Sequence, residues 1–136
     1  MTCNQCCEVA ANVVVGLVAV IHFGFAYKEF SGRNSREFYR KFNITLAVGQ
    51  DETQIGRIIA NSALFNLLLA IGLIGSFWTG GGVNWLQIYL LGSIITAGIV
   101  GGLTLIPLVA AAQSVPAVIA LVLVLIASRI LPLPCE

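Results

Sequence analysis

The sequence predicts an all-α integral membrane protein, with four transmembrane helices in an up-down bundle and a short amphipathic interfacial helix between the first and second. Three observations predict it. Of 136 residues, 58% are hydrophobic and only 10% are charged, and the mean hydropathy is +0.95. Soluble domains carry roughly a quarter charged residues. A soluble fold of this length leaves much of its chain exposed, so it has no interior large enough to hide this apolar surface. Third, the apolar residues are gathered into four runs, each near the ~20 residues that carry a helix across ~30 Å of hydrocarbon. No room remains for a second domain of ordinary size, so residues 1–136 are read as one membrane domain.

The first span is expected over about 9–27 and ends at Lys28. The preceding segment, MTCNQCCEVA, has no basic stretch and no small-residue cleavage site behind it, so it does not read as a signal peptide. It has no Arg, so it does not read as a transit peptide either. Four cysteines are present, Cys3, Cys6, Cys7 and Cys135. The Cys-x-x-Cys spacing suits metal or redox chemistry, but no second Cys pair or His nearby completes a tetrahedral set. Ordinary thiols, a disulfide staple to Cys135, and lipidation of Cys6 or Cys7 are the open readings.

Residues 28–57 form the one substantial polar segment, an interfacial basic loop. Asn34 or Ser35 is expected to cap a helix running to about Val48, with Phe38, Phe42 and Leu46 on one face. Arg36, Arg40 and Lys41 lie off that stripe, and Glu37 is spaced to pair with Lys41. This pattern fits a helix lying in the membrane interface or a loop helix packed on a partner. Asp51, Glu52 and Thr53 make an acidic helix start.

The second span is expected over about 58–77. Trp78 and Trp85 then bracket a glycine-rich turn, where indoles prefer the water interface. No Lys-Ser or Lys-Thr follows the glycines, so the turn is not a phosphate cradle. The third span, about 85–106, carries Ser93, Ala97 and Gly101 at four-residue spacing, and Gly98 and Gly102 likewise. Small residues at that spacing let helix backbones approach closely. Pro107 is expected to end this helix, Leu108–Gln113 to connect, and Ser114 to cap a fourth span, about 115–131, with Pro116 in its first turn. That span is almost pure Val, Leu, Ile and Ala, the composition of a lipid-facing helix, with Arg129 snorkelling at its end.

Of seven Lys and Arg, six (Lys28, Arg33, Arg36, Arg40, Lys41 and Arg57) flank or occupy the first loop. The positive-inside rule puts that loop on the cytoplasmic, matrix or stromal side and both termini opposite. The expected setting is an organelle inner or thylakoid membrane, or a bacterial plasma membrane.

The polar residues inside the spans are His22, Glu29, Asn61, Asn66, Gln87, Thr96 and Gln113. Each is costly in lipid, so each is expected to face the bundle or a wet cavity. His22 and Glu29 are seven residues apart, two turns along one face. That is ~10 Å, too far for a direct bond. The functional reading is a polar pocket holding lipid, quinone, chlorophyll or a proton. The structural reading is interhelical hydrogen bonding that fixes register. One His and one carboxylate do not make a transition-metal site. No catalytic triad, phosphate loop or nucleic-acid signature is present.

His22 with Glu29 resembles an H-x6-E motif, and Asn61-Ser62-Ala63-Leu64-Phe65-Asn66 resembles an N-Q-G-x-Y-N motif, of the small membrane family catalogued as domain of unknown function 1304. Leu86–Gly92, Ala97–Gly101 and Gln113–Pro116 resemble its third and fourth helices in the same order. The resemblance implies a four-helix membrane fold and assigns no activity. Ser62-Ala63 stands where Gln-Gly is usual, and the cysteine-rich start and long basic loop look like additions.

Three functions follow as expectations. One is a non-catalytic accessory subunit of a larger membrane complex, with lipids and other membrane subunits as partners and no nucleic acid. In a photosynthetic complex His22, Glu29, Asn61, Gln87 or Gln113 would ligate chlorophyll magnesium; in a respiratory one they would hold lipid or quinone. The second is a small-molecule or proton carrier using the His22–Glu29 face. The third is a membrane-embedded redox enzyme using the cysteine pair.

Overall fold

The computed structural model describes residues 3–46, 51–79 and 84–131. Every regular element in them is helical. In chain order these are α1 (Cys3–Gly32), α2 (Arg36–Lys41), α3 (Glu52–Gly75) with a 3₁₀ turn at Ser76–Trp78, α4 (Trp85–Thr104) and α5 (Pro107–Ala127). Four of them are long and apolar enough to cross a membrane: Gln5–Gly32, Glu52–Trp78, Trp85–Thr104 and Pro107–Ala127. At 1.5 Å per residue even the shortest reaches about 30 Å, the hydrocarbon thickness, and the span Gln5–Gly32 overshoots it by about 12 Å. The chain is a membrane protein with transmembrane helices.

α1 packs along both α3 and α5, and α5 also packs along α4; α3 and α4 meet only narrowly. The interior is built of small and branched side chains. Val15, Val18 and Ala19 of α1 meet Leu73 of α3, Leu91 and Ile94 of α4, and Ala117, Ala120 and Val124 of α5. Large apolar residues such as Val20, Phe65, Leu68 and Leu103 point outward. A soluble bundle would reverse this distribution; lipid permits it.

The helix ends follow local chemistry. Ser35 caps α2 by accepting from the Phe38 N–H, and Asp51 caps α3 by accepting from the Thr53 N–H at 2.8 Å. Both serve donors that the first turn of a helix leaves without an internal partner. Asn84 caps α4, its Oδ1 accepting from the Gln87 N–H at 3.1 Å, while its Nδ2 donates to the Ser76 carbonyl at 2.9 Å. Pro107 sits in the first turn of α5, where a missing N–H costs nothing.

Several expectations need correction. α1 does not stop at Lys28 but continues to Gly32, because the residues after Lys28 can all be helical. α2 does not reach Val48. It ends at Lys41, and Asn43 adopts φ 56°, a left-handed conformation that Asn tolerates and that stops a helix. Its buried residue is Tyr39, whose hydroxyl donates to the Arg33 carbonyl, while Phe38 and Phe42 are half-buried and the Phe38 ring lies against Gly32 of α1. Glu37 does not pair with Lys41; among the described residues the one ion pair is Arg36–Glu52 at 2.8 Å. Leu108–Gln113 is not a connection. It is the start of α5, because Pro107 both ends one helix and opens the next. Ser114 and Pro116 therefore lie inside α5, and Ser114 is an interhelical donor rather than a cap. Residues 47–50, 80–83 and Cys135 lie outside the described residues, and with them the disulfide reading and most of the glycine turn.

Candidate functional site

The polar cluster of the bundle forms where the last turns of α1 cross α3. Ser62 and Asn66 are four residues apart on α3, hence one above the other on the same face. Both point at Glu29. The Ser62 Oγ donates to Oε1 at 3.2 Å, and the Asn66 Nδ2 donates to Oε2 at 2.8 Å. Each carboxyl oxygen thus has its own donor from the neighbouring helix. Asn66 is buried, Glu29 half-buried and Ser62 exposed, so the cluster opens to one side.

His22 lies two turns toward the middle of α1 and is buried. Its Nδ1 is 2.9 Å from the Val18 carbonyl oxygen one turn back. A carbonyl only accepts, so Nδ1 carries the hydrogen and the tautomer is fixed by the helix itself. The Phe25 ring stands edge-on to the imidazole, with centroids 5.8 Å apart. No hydrogen bond joins His22 to the Glu29 cluster; their partners are different groups.

The other candidates are dispersed. Asn61 is exposed on the outer side of α3. Gln87 is buried in the first turn of α4, at the Trp78–Trp85 end and so at the opposite end of the bundle from Glu29. Gln113 is half-buried on α5, where its Cβ faces Gly98. Thr96 is exposed and donates to the Gly92 carbonyl of its own helix at 3.0 Å.

The small-residue stripe divides as well. Gly98, Gly101 and Gly102 face α5: a Cβ on Gly101 would stand 2.8 Å from a Val109 methyl, and one on Gly102 would collide with the Ala110 Cβ. Ser93 is half-buried and donates to the Tyr89 carbonyl at 2.9 Å, and Ala97 is exposed. Ser114 reaches across the seam and donates to the Ile95 carbonyl of α4 at 3.0 Å.

Two interhelical contacts, those of Ser62 and Ser114, are absent from the candidates chosen by polarity. The signal for Ser62 is its four-residue spacing from Asn66. The signal for Ser114 is the glycine opposite it, which leaves room for a hydroxyl to reach a backbone carbonyl. Chemically, the Glu29 cluster is a two-point clamp between helices. Among the described residues no group of three or more His, Cys, Asp or Glu is placed to hold a metal ion.

A bundle of four apolar helices, sealed by small residues on one seam and by a carboxyl clamp on another, defines the class: a small four-helix membrane protein. Residues 16–125 match the family model described as Protein of unknown function (DUF1304), and the chain belongs to that family. The matched segment holds His22, Glu29, Ser62, Asn66, Gln87 and Gln113; the N-terminal cysteines and Arg129 lie outside it. No curated protein and no solved structure matches the chain.

Proposed function

We propose that the chain is a non-catalytic accessory subunit of a larger membrane complex in an energy-converting membrane, respiratory or photosynthetic. The observation that carries this reading is that the polar interior is spoken for. Among the described residues, no buried side-chain nitrogen or oxygen lacks a hydrogen-bond partner. A carrier works by groups that exchange their partners for cargo. Here the Glu29 oxygens are taken by Ser62 and Asn66, and His22 Nδ1 by Val18. Clamps of that kind fix helix register, which suits a subunit whose task is to present a stable outer surface. The membrane lipids and neighbouring subunits would then be its partners across the outward-facing apolar side chains.

The same reading places the first loop on the cytoplasmic, matrix or stromal side. Lys28, Arg33, Arg36, Arg40, Lys41 and Arg57 gather at the α1–α3 end of the bundle, and Arg129 follows α5 at the other. The test is native gel separation of a mild detergent extract, followed by mass spectrometry of the band that contains this chain. Comigration with a respiratory or photosynthetic assembly is the expected result. Migration alone, or as a small homo-oligomer, would remove the proposal.

A further inference from the structure

At the loop end of the bundle, α1, α2 and the start of α5 enclose a groove of about 510 Å³. That volume falls within the ~300–1,000 Å³ of ligand clefts. Its walls are apolar: Phe25 on α1, and Ile106, Leu108 and Val109 at and after the α4–α5 turn. Phe38 and Phe42 close the loop side, their ring centroids 4.5 Å apart and their planes tilted by 36°. Three charged side chains line the same groove, Lys28, Lys41 and Glu37.

We propose that this groove seats one anionic phospholipid, with its phosphodiester between Lys28 and Lys41 and an acyl chain along α1 and α5. Depth is the first argument. Lys28 is one turn before the end of α1, and Pro107 opens α5 beside it. The groove therefore straddles the level at which two spans leave the hydrocarbon, where headgroups lie. Charge is the second. Two lysines and one glutamate leave one net positive charge, the complement of a phosphodiester. Among the described residues none of the three makes an ion pair, since the one such pair is Arg36–Glu52. Of the two hydroxyls in the groove, Ser31 donates to the Tyr27 carbonyl at 2.8 Å, while Ser35 accepts from the Phe38 N–H and keeps its own hydrogen to donate. The lysines are thus the cations that meet an anion, with the Ser35 hydroxyl beside them as a neutral donor. Basic pockets between transmembrane helices recognise lipid headgroups by this combination.

Two other grooves among the described residues lack it. One of about 500 Å³ between α1 and α3 is lined by Phe23, Tyr27, Phe30, Leu64 and their apolar neighbours, with no charged residue. Another holds Arg36 and Arg40 but also Glu52, which already binds Arg36.

The experiment is native mass spectrometry of the purified chain in uncharged detergent, with equal amounts of phosphatidylglycerol and phosphatidylcholine added. One phosphatidylglycerol is expected to stay bound per chain, in preference to phosphatidylcholine. At the strength typical of a surface lysine meeting an anionic lipid, Lys28→Gln or Lys41→Gln weakens retention about fivefold and the double variant about 25-fold. Glu37→Gln strengthens it, and the K28R/K41R variant keeps it. Arg40→Gln with Arg57→Gln removes two cations at the same end of the bundle, on α2 and α3, that do not line the groove, and it leaves retention unchanged. Equal retention of the two lipids would overturn the proposal. So would equal loss in the Arg40/Arg57 variant, which would mean diffuse attraction to the loop. Binding of glycerol phosphate as tightly as the whole lipid would overturn the role of the apolar walls.

Discussion

Replacing Gly98 by Ala tests the α4–α5 seam, and Gly92→Ala on the same helix is its control. A Cβ at Gly98 would collide with the Ser114 Oγ and stand 2.9 Å from the Gln113 Cβ and 3.1 Å from the Ser114 backbone nitrogen. A hydroxyl can rotate away, but the other two atoms belong to α5 itself, so the helices must separate. Overpacking of this kind costs ~1–3 kcal/mol. Turning the Ser114 hydroxyl aside also breaks its 3.0 Å bond to the Ile95 carbonyl, and an interhelical bond in a membrane contributes ~0.6 kcal/mol. Against this, Ala is favoured over Gly within a helix by ~0.8–1.0 kcal/mol. The balance is a loss of about 0.6–2.8 kcal/mol for Gly98→Ala. At Gly92 a Cβ meets nothing within 4 Å, so only the helix preference remains and the variant is neutral or up to ~1 kcal/mol more stable. Unfolding of each purified variant in mixed micelles of increasing dodecyl sulfate content, followed by circular dichroism, gives the difference. A Gly98→Ala protein as stable as Gly92→Ala would refute the close approach of the two backbones.

Three further outcomes are expected from the same unfolding assay. Asn66→Ala strips the 2.8 Å donor from Glu29 and lowers stability by about 1–2 kcal/mol, between the membrane average and the cost for a charged acceptor. Ser62→Ala costs less, and the effect of Asn66→Ala should shrink in a Glu29→Ala background; equal effects in both backgrounds would disprove the clamp. Asn84→Ala removes both the cap on α4 and the tie to the Ser76 carbonyl, a loss of about 1 kcal/mol, whereas Asn84→Asp keeps the cap and should lose less. Arg36→Ala removes an ion pair whose side chains are 84% and 44% exposed. It should shift stability by less than ~0.5 kcal/mol at ordinary salt, and a larger loss would mean that the pair is shielded by lipid or by a partner.

The four spans were legible because lipid solvation writes itself into long apolar runs, and the starts of α2 at Asn34 or Ser35 and of α3 at the acidic Asp51–Thr53 because helix starts are local chemistry; that Ser35 and Asp51 are the capping residues comes from the structure. The start of α5 was not. Pro107 carries two messages, the end of one helix and the first turn of the next, and an apolar stretch such as Leu108–Gln113 has no polar period to choose between helix and connection. Ser114 is ambiguous in the same way. A serine before a proline reads as a cap, and only the glycine facing it on α4 makes it an interhelical donor.

The polar residues of α3 show what sequence polarity leaves out. Asn61 and Asn66 are the same residue type in the same span, yet one is exposed and the other buried. Their neighbours at helical spacing separate them. Asn61 lies in line with Ile58, Phe65 and Leu68, all more than half exposed. Asn66 lies in line with Ile59, Ala63, Ala70 and Leu73, all buried. Ile58 and Phe65, the large residues one turn either side of Asn61, mark the lipid side, and Ala63 and Ala70, the small residues one turn either side of Asn66, mark the side where another helix comes close enough to be bonded. By that rule Asn66 is the α3 partner of Glu29; Ser62, one turn before it and exposed, sits at the edge of the same face and reaches Glu29 from the open side of the cluster. The face, not the polarity of the single residue, decides which groups in a span meet.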